Sequence, residues 1–342
     1  MKRQDDSHRA VTMRDVAEAA GVSVSTVSHV VNETGARIGK DAKQRVRQAI
    51  EALGYRPNAM AKNLVKGGSR FLGLVADAIA STPFAGQIIH GAQEEAWKHG
   101  YVLLIANTEG NAAAEASAIS MMLEHKVRGI LYSTWYHRAV DLPAGLAEAN
   151  TVLVNCFTPG HRVPAVVPDE STGAQDGTRM LLARGHRRIA FLNTQTPSPA
   201  RDGRLHGYRE ALSTAGLPFD PALVVDVRPD QDGGYGAVET VLAQRATGVF
   251  CHNDRVAMGL YDGLRDHGLR VPKDLSVVGF DNQEVIAAHL RPALSTVALP
   301  HDELGRRGVR VLLGLEEPLD GRATAINCPP VPRHSVSTVA GA

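Results

Sequence analysis

Three polar side chains in the carboxy-terminal two-thirds of the sequence stand where they could bind hydroxyl groups. Asp281 follows the apolar run Ser-Val-Val-Gly-Phe, and its two oxygens can accept from adjacent hydroxyls. Asn253 follows Val-Phe-Cys-His and offers both a donor and an acceptor. Arg204 opens a helical stretch, and its planar fork grips vicinal hydroxyls or a carboxylate. Taken singly, each could equally cap a strand end or form a salt bridge; jointly, in this strand order, they suit a small polyhydroxylated molecule. Catalytic signatures are missing: there is no Gly-x-x-x-x-Gly-Lys-Ser/Thr loop, Gly-x-Ser-x-Gly elbow or His-Glu-x-x-His helix. His252 and Asp254 are neighbours, but no nucleophile lies near them in sequence. The expected site binds rather than catalyses, without metal or cofactor.

A second kind of chemistry is written at the other end. Residues 1–70 carry 13 Lys/Arg against 7 Asp/Glu, a net +6, whereas the remaining residues net −5. A basic head on a mildly acidic body points to a polyanion-binding module joined to something else. The apolar fraction of 44% and charged fraction of 21% exclude a disordered or fibrous chain. No apolar run of about 18 residues is present to span a membrane, and the polar start is not that of a signal peptide. Cys156, Cys251 and Cys328 lie too far apart for a disulfide framework or metal cluster. A cytoplasmic protein is expected.

The elements that would position these groups follow from periodicity. Thr12 can cap a helix whose inner face is Val16, Ala17 and Ala20, with Asp15 completing a capping box. Gly21 breaks that helix and Ser23 restarts a second. In it Val27, Val30 and Val31 pack inward while Ser25, Thr26 and His29 can face bases or phosphates. Two short helices about a tight glycine turn are a helix-turn-helix. Lys40–Leu53 supplies a third helix, with Ala42, Val46, Ala49, Ile50 and Leu53 inward, ending at Gly54. A short helix starting at Pro57-Asn58 is too brief to stand alone in water and needs its symmetry mate or DNA. From Phe71 onward short apolar runs alternate with amphipathic helices, which predicts parallel, doubly wound sheets in two lobes facing a cleft. Trp97, beside Ile89, Ala92 and Ala96, is placed in the core.

The head motif Val-Thr-x-x-Asp-Val-Ala-x-x-Ala-Gly-Val-Ser-x-x-Thr-Val-Ser, followed by Gly-Tyr-x-Pro-Asn-x-x-Ala-x-x-Leu, resembles the DNA-binding head of LacI/GalR-type transcriptional regulators. The body shares further family segments, among them Arg204-Leu-His-Gly-Tyr-Arg-Glu-Ala-Leu212 and Val271-Pro-Lys-Asp-Leu-Ser-Val-Val-Gly-Phe-Asp281. The resemblance implies an all-α head (1–56), a hinge helix and linker (57–69), and a periplasmic-binding-protein-like body (70–342). Lobe crossovers are expected near Pro168, Leu299 and Asn327. It further implies a homodimer reading a near-palindromic operator. The DNA contacts would come from Thr12, Ser23, Val24, Ser25, Thr26, Ser28, His29 and Asn32 in the head, and from Asn58, Ala61 and Leu64 in the hinge. Leu64 would wedge into the central minor-groove step, or else serve as a dimer contact. Two departures bear on the operator. Val24 and Ser25 offer a methyl group and a hydroxyl at base-reading positions. His29 replaces an arginine common in the family, and an imidazole cannot make the bidentate guanine contact.

For the body, the resemblance implies a saccharide effector touched by Arg204, Asn253 and Asp281. Asn155 stands where many relatives have an aspartate, and Leu299 where they often have a glutamine. The usual aromatic before Gly234-Tyr235 is missing, so stacking would fall to Trp135, Tyr136 or Phe84; Trp135 could instead serve surface or dimer packing. The implied function is repression of carbohydrate-metabolism genes, with the direction of effector control left open. A transport-type sugar-binding protein would need a signal peptide and no basic head, and a DNA-tethered enzyme would need a catalytic constellation. No heptad helix closes the sequence, so a dimer rather than a tetramer is expected.

Overall fold

Thr12 is extended (φ −105°, ψ 165°) and caps the first helix, α1 (Met13–Ala20). Its backbone N–H donates to Asp15 at 2.7 Å while its hydroxyl accepts the Asp15 N–H, forming the capping box. Gly21 closes the helix at φ +62°, a left-handed conformation that costs glycine nothing. Ser23 then accepts the Thr26 N–H at 3.2 Å and starts α2 (Val24–Asn32). The third helix, α3 (Lys40–Leu53), ends on Gly54. Val16, Ala17, Ala20, Val27, Val46 and Ala49 form the buried core of this head. Leu53 departs from the expected inward face: it is exposed, and Tyr55, beyond the glycine cap, joins the core instead. Arg45 Nε donates to the Ala20 carbonyl at 3.1 Å, satisfying an orphan acceptor at the end of α1.

The computed structural model describes residues 11–32, 37–55, 69–79, 82, 85–160, 162–319 and 322–339. Asn58, Ala61, Leu64 and Phe84 lie outside the described residues. The chain divides into two units, residues 1–70 and 71–342.

The first lobe of the larger unit begins with β1 (Phe71–Ala76), α4 (Gly86–Lys98), β2 (Val102–Asn107), α5 (Ala112–Glu124), β3 (Ile130–Ala139), β4 (Thr151–Phe157) and β5 (Ala165–Pro168). The second lobe opens with α6 (Glu170–Leu182), β6 (Ile189–Thr194), α7 (Pro199–Thr214), β7 (Val224–Val227), α8 (Gln231–Gly236) and α9 (Val238–Ala243). It continues with β8 (Gly248–Cys251), α10 (Asp254–Asp266), β9 (Ser276–Val278), α11 (Glu284–Ala287) and β10 (Thr296–Val297). Last come α12 (His301–Leu312), β11 (Thr324–Ile326) and β12 (Pro330–Val331).

The six-stranded sheet runs β11-β5-β4-β3-β1-β2 and the four-stranded sheet β7-β6-β8-β9, while β10 and β12 form a separate antiparallel ribbon. All pairs in the two larger sheets are parallel. The chain passes between the lobes between β5 and α6, between β10 and α12, and between β11 and β12. α12 returns to pack on α4 at close range. A Cβ on Gly91 would stand 1.9 Å from the Asp302 carbonyl, and one on Gly305 would stand 2.1 Å from that of Ile88. On α4 the stripe facing the core is Ile88, Ala92, Glu95 and Ala96. Trp97 lies one helical step beyond it and is 63% exposed, against the expectation of a core residue.

One irregularity shapes the site. Ser133 of β3 pairs with Val154 of β4, but Arg138 pairs with Cys156, so residues 134–137 oppose Asn155 alone. Sequence periodicity ends this strand at Ser133; it runs on as a wide bulge to Ala139. Asn155 takes φ +60° there, and its Nδ2 donates to the Thr134 carbonyl at 3.0 Å. The Thr134 hydroxyl is shared between the carbonyls of Tyr136 at 2.8 Å and Asn155 at 3.1 Å. A bulge re-aims the side chains it carries.

Candidate effector cleft and nucleic-acid interface

A cavity of about 390 Å³ opens between the lobes of the larger unit. The β3 bulge supplies Trp135, Tyr136 and His137 to its wall, and Asn155 stands beside them. The second lobe supplies Arg204, His252, Asn253 and Asp281, and the crossover segments contribute Glu170, Leu299 and His301.

Arg204 is the electrostatic centre. Its Nε donates to Glu170 Oε2 at 2.8 Å, its Nη1 donates to the His252 carbonyl, and its Nη2 lies 3.5 Å from Asp281 Oδ1. The guanidinium carbon stands 3.8 Å over the centroid of the Phe280 ring, a cation–π contact in a dry place. From Asp281 the bonding continues outward. Gln283 Nε2 donates to Asp281 Oδ2 at 3.0 Å, and Arg255 Nε donates to Gln283 Oε1 at 3.3 Å. At the other end Glu170 Oε1 lies 3.5 Å from His137 Nδ1. Positive and negative groups thus alternate along one chain that lines the cavity.

Burial and pairing pull the acids apart. At Glu170 burial alone would raise the pKa, but the Arg204 charge and His137 bring it down to about 2. At Asp281 burial outweighs Arg204 and pushes the carboxyl up to about 6. Asp281 also sits at φ +100°, strained for a residue with a Cβ. Burial depresses both neighbouring imidazoles, His252 well below its usual range and His301 to about 4, so both are neutral at pH 7.

The smaller unit presents a different surface. On α2, Val27 is fully buried, while Val24 (43% exposed), Ser25 and His29 are exposed and Thr26 and Ser28 are half-buried. Ser23 Oγ lies 2.8 Å from Ser25 Oγ and 2.9 Å from Thr26 Oγ1, which clusters three hydroxyls at the start of the helix. A helix N-terminus lined with hydroxyls favours phosphate oxygens.

Comparison with known proteins places these units. Residues 12–58 match the model of "Bacterial regulatory proteins, lacI family", and residues 178–336 match the "Periplasmic binding protein-like domain". The HTH-type transcriptional regulator GalR of Escherichia coli (strain K12) is 32% identical over 332 residues, which cover 96% of each chain. The chain belongs to the LacI family. Among solved structures, the complex of the transcriptional regulator CelR with cellobiose is 28% identical, with a TM-score of 0.64 over 95% of this chain and 99% of that one. The lac repressor dimer bound to operator and the anti-inducer ONPF shares the fold: TM-score 0.78 over 96% of this chain and 100% of that one, at 24% identity. No helix among the described residues is long and apolar enough to cross a membrane.

In this LacI-family regulator the structure brings Trp135, Asn155, Arg204, Asn253 and Asp281 to one cavity. Their states differ from the open hydroxyl-binding groups that the sequence suggests. Arg204 is engaged on every side. Asn253 caps α10, accepting the Val256 N–H at 2.9 Å and donating to the Pro229 carbonyl at 3.1 Å. Asn155 spends one amide proton on the bulge. Trp135 meets Tyr136 edge-on at 4.8 Å and stays 39% exposed. In the head, Thr12 is exposed but its hydroxyl serves the capping box. Asn32 runs counter to its expected place on the DNA face: it is buried, and its Nδ2 donates to Ser28 Oγ at 3.3 Å, which turns the amide into the head. Sequence reasoning missed Glu170, His137 and His301. Only Glu170 carried a signal, an acid two residues past the crossover at Pro168.

Proposed function

We propose that this chain represses transcription of carbohydrate-metabolism genes under control of a saccharide bound between its lobes. The observation that carries this reading is the cavity itself. It is closed by residues of both lobes and of the crossovers, so a ligand there favours one lobe arrangement over another. CelR, 28% identical, is described in complex with cellobiose, which supports a sugar as the ligand class. The exposed face of α2 would read DNA through Val24, Ser25, Thr26, Ser28 and His29, with Thr12 and Ser23 on phosphates, and Asn58, Ala61 and Leu64 would act from the hinge. The chain would work in the cytoplasm as a homodimer on a near-palindromic operator, with recognition helices about 34–36 Å apart, and without catalytic turnover. The exposed apolar residues Val102, Ile105 and Met121 of the first lobe suit contact between copies.

The test is a thermal-shift screen of the purified chain against sugars, polyols, sugar acids and nucleosides, followed by operator-binding titrations with each hit. A sugar that raises the Tm by several degrees and shifts operator affinity by roughly 5–150-fold is the expected result. Sugars that change neither quantity would overturn the reading.

A further inference from the structure

The cleft's polar groups are nearly all engaged with one another, which makes the exception informative. Among the described residues, His137 is the one cavity-lining side chain with buried nitrogens short of hydrogen bonds: Nε2 has none, and Nδ1 has only a 3.5 Å contact with Glu170. It is 9% exposed, meets Phe157 edge-on at 5.7 Å, and is carried into the cavity by the β3 bulge. An unpaired buried donor or acceptor costs about 1–3 kcal/mol. A fold keeps such a group where something else completes it. Glu170 faces Nδ1 at 3.5 Å, which leaves Nε2 as the ring nitrogen without a contact.

The charges narrow the ligand. Both guanidiniums at the cavity already have partners, Arg204 on Glu170 and Asp281, and Arg255 on Gln283. Arg204 faces both carboxylates, and Arg255 bonds the neutral amide of Gln283. Arg255 is exposed, whereas Arg204 is buried and already bonded to two carboxylates, so an anionic group placed deep beside His137 would meet Glu170 and a cation that is already engaged, and a buried charge without a partner is costly. A hydroxyl, which donates and accepts at once, suits His137 and the outer lone pairs of both carboxylates.

Resting on the effector reading above, we propose that the cleft takes an uncharged sugar rather than a sugar acid or sugar phosphate. In this proposal His137, positioned by Glu170, is a specificity-determining contact whose Nε2 hydrogen-bonds one ligand hydroxyl.

The experiment is titration calorimetry on the full chain with matched pairs: glucose, glucuronate and glucose 6-phosphate; ribose and ribose 5-phosphate; cellobiose and cellobionate. At least one neutral member should bind, with its charged counterparts at least tenfold weaker. His137→Leu should raise that sugar's Kd by roughly tenfold while the sugar-free Tm changes little, because the gain from removing the unsatisfied Nε2 offsets the loss of the weak 3.5 Å contact with Glu170. A purely structural histidine would instead lower the Tm and spare the Kd, which overturns the contact. Should His137→Leu fail to fold, His137→Gln takes its place with single-deoxy analogues of the bound sugar. One deoxy position should cost wild type about tenfold and the variant little; equal costs in both overturn the proposal. A charged sugar binding as tightly as its neutral partner overturns the charge argument and leaves the saccharide reading standing. A panel in which nothing binds overturns both.

Discussion

The two binding surfaces of this protein are built on opposite plans. On α2 the side chains proposed to read DNA are exposed or half-buried, and several bond to close neighbours in the sequence, so little of the head's stability rides on them. In the cleft the charges are buried and bonded across lobes and crossovers, so Arg204, Glu170 and Asp281 belong to the fold as much as to the site. A surface for a large polyanion can stay solvated, since each phosphate contact is weak and many are made. A pocket for a small ligand has few contacts to make, and its groups must be held in place beforehand.

The largest expected effect tests this contrast directly. Arg204→Ala strands two buried carboxylates and should lower unfolding free energy by about 3–5 kcal/mol. Ser25→Ala on α2 should stay within about 0.5 kcal/mol. Urea unfolding followed by tryptophan fluorescence separates the units, because both tryptophans, Trp97 and Trp135, lie in the larger one. An unchanged midpoint for Arg204→Ala would mean that the cleft chain is as dispensable as the head's surface.

Salt sharpens the same comparison. Operator affinity, resting on a head of net +6, should fall at least about a hundredfold between 50 and 200 mM salt. Sugar affinity in the buried, charge-balanced cleft should barely move, since buried pairs are weakly screened. Fluorescence anisotropy on labelled operator and calorimetry on the sugar measure the two slopes. Parallel slopes would erase the distinction.

Acid should act on the cleft through its buried imidazoles. His301 has a folded pKa of about 4 against 6.5 unfolded, so the stability it contributes is present above pH 6.5 and is lost as pH falls toward 4. His252, also depressed, acts in the same direction. Asp281 opposes them: its folded pKa of about 6 exceeds the ordinary 3.8, so its contribution is present below pH 3.8 and is lost as pH rises through 6. His301→Gln should therefore flatten the loss of stability between pH 6.5 and 4.5, by up to about 1.4 kcal/mol per pH unit. Melting curves across that range check it, and a slope unchanged from wild type would place the acid-sensitive group elsewhere.

The same contrast explains what sequence could reveal. The head was legible nearly to the residue, because caps, glycine stops and a helical stripe act within a few positions: Thr12, Asp15, Gly21 and Gly54 all do what their spacing requires. Its misses, Leu53 and Asn32, came from neighbours outside the helix period. The alternation of strands and helices was legible in the body for the same local reason. The cleft's helix residue Arg204 and strand-end residues Asn253 and Asp281 could be named but not their states, since Arg204 meets a glutamate 34 positions away. His137 was out of reach because the bulge that carries it depends on the register of β3 against β4, and periodicity within one strand does not encode a pairing across two.

The smallest effect probes the head where its stability does depend on single groups. Thr12→Ala removes the hydroxyl of the capping box and leaves the Asp15 N–H without its side-chain acceptor. The cost should be about 1 kcal/mol, borne by the smaller unit alone. Circular dichroism at 222 nm should therefore lose its earliest-melting helical fraction at a lower temperature, while the tryptophan-reported midpoint holds. At growth temperature a head that keeps most of its folded population binds operator almost as before, so affinity should drop by less than about tenfold. Ser25→Ala should do the reverse, leaving the melt alone and changing which operator bases are preferred. If Thr12→Ala abolished operator binding with the melt unmoved, Thr12 would belong to the DNA contact rather than to the cap, and the division between a self-supporting head face and an interlocked cleft would need redrawing.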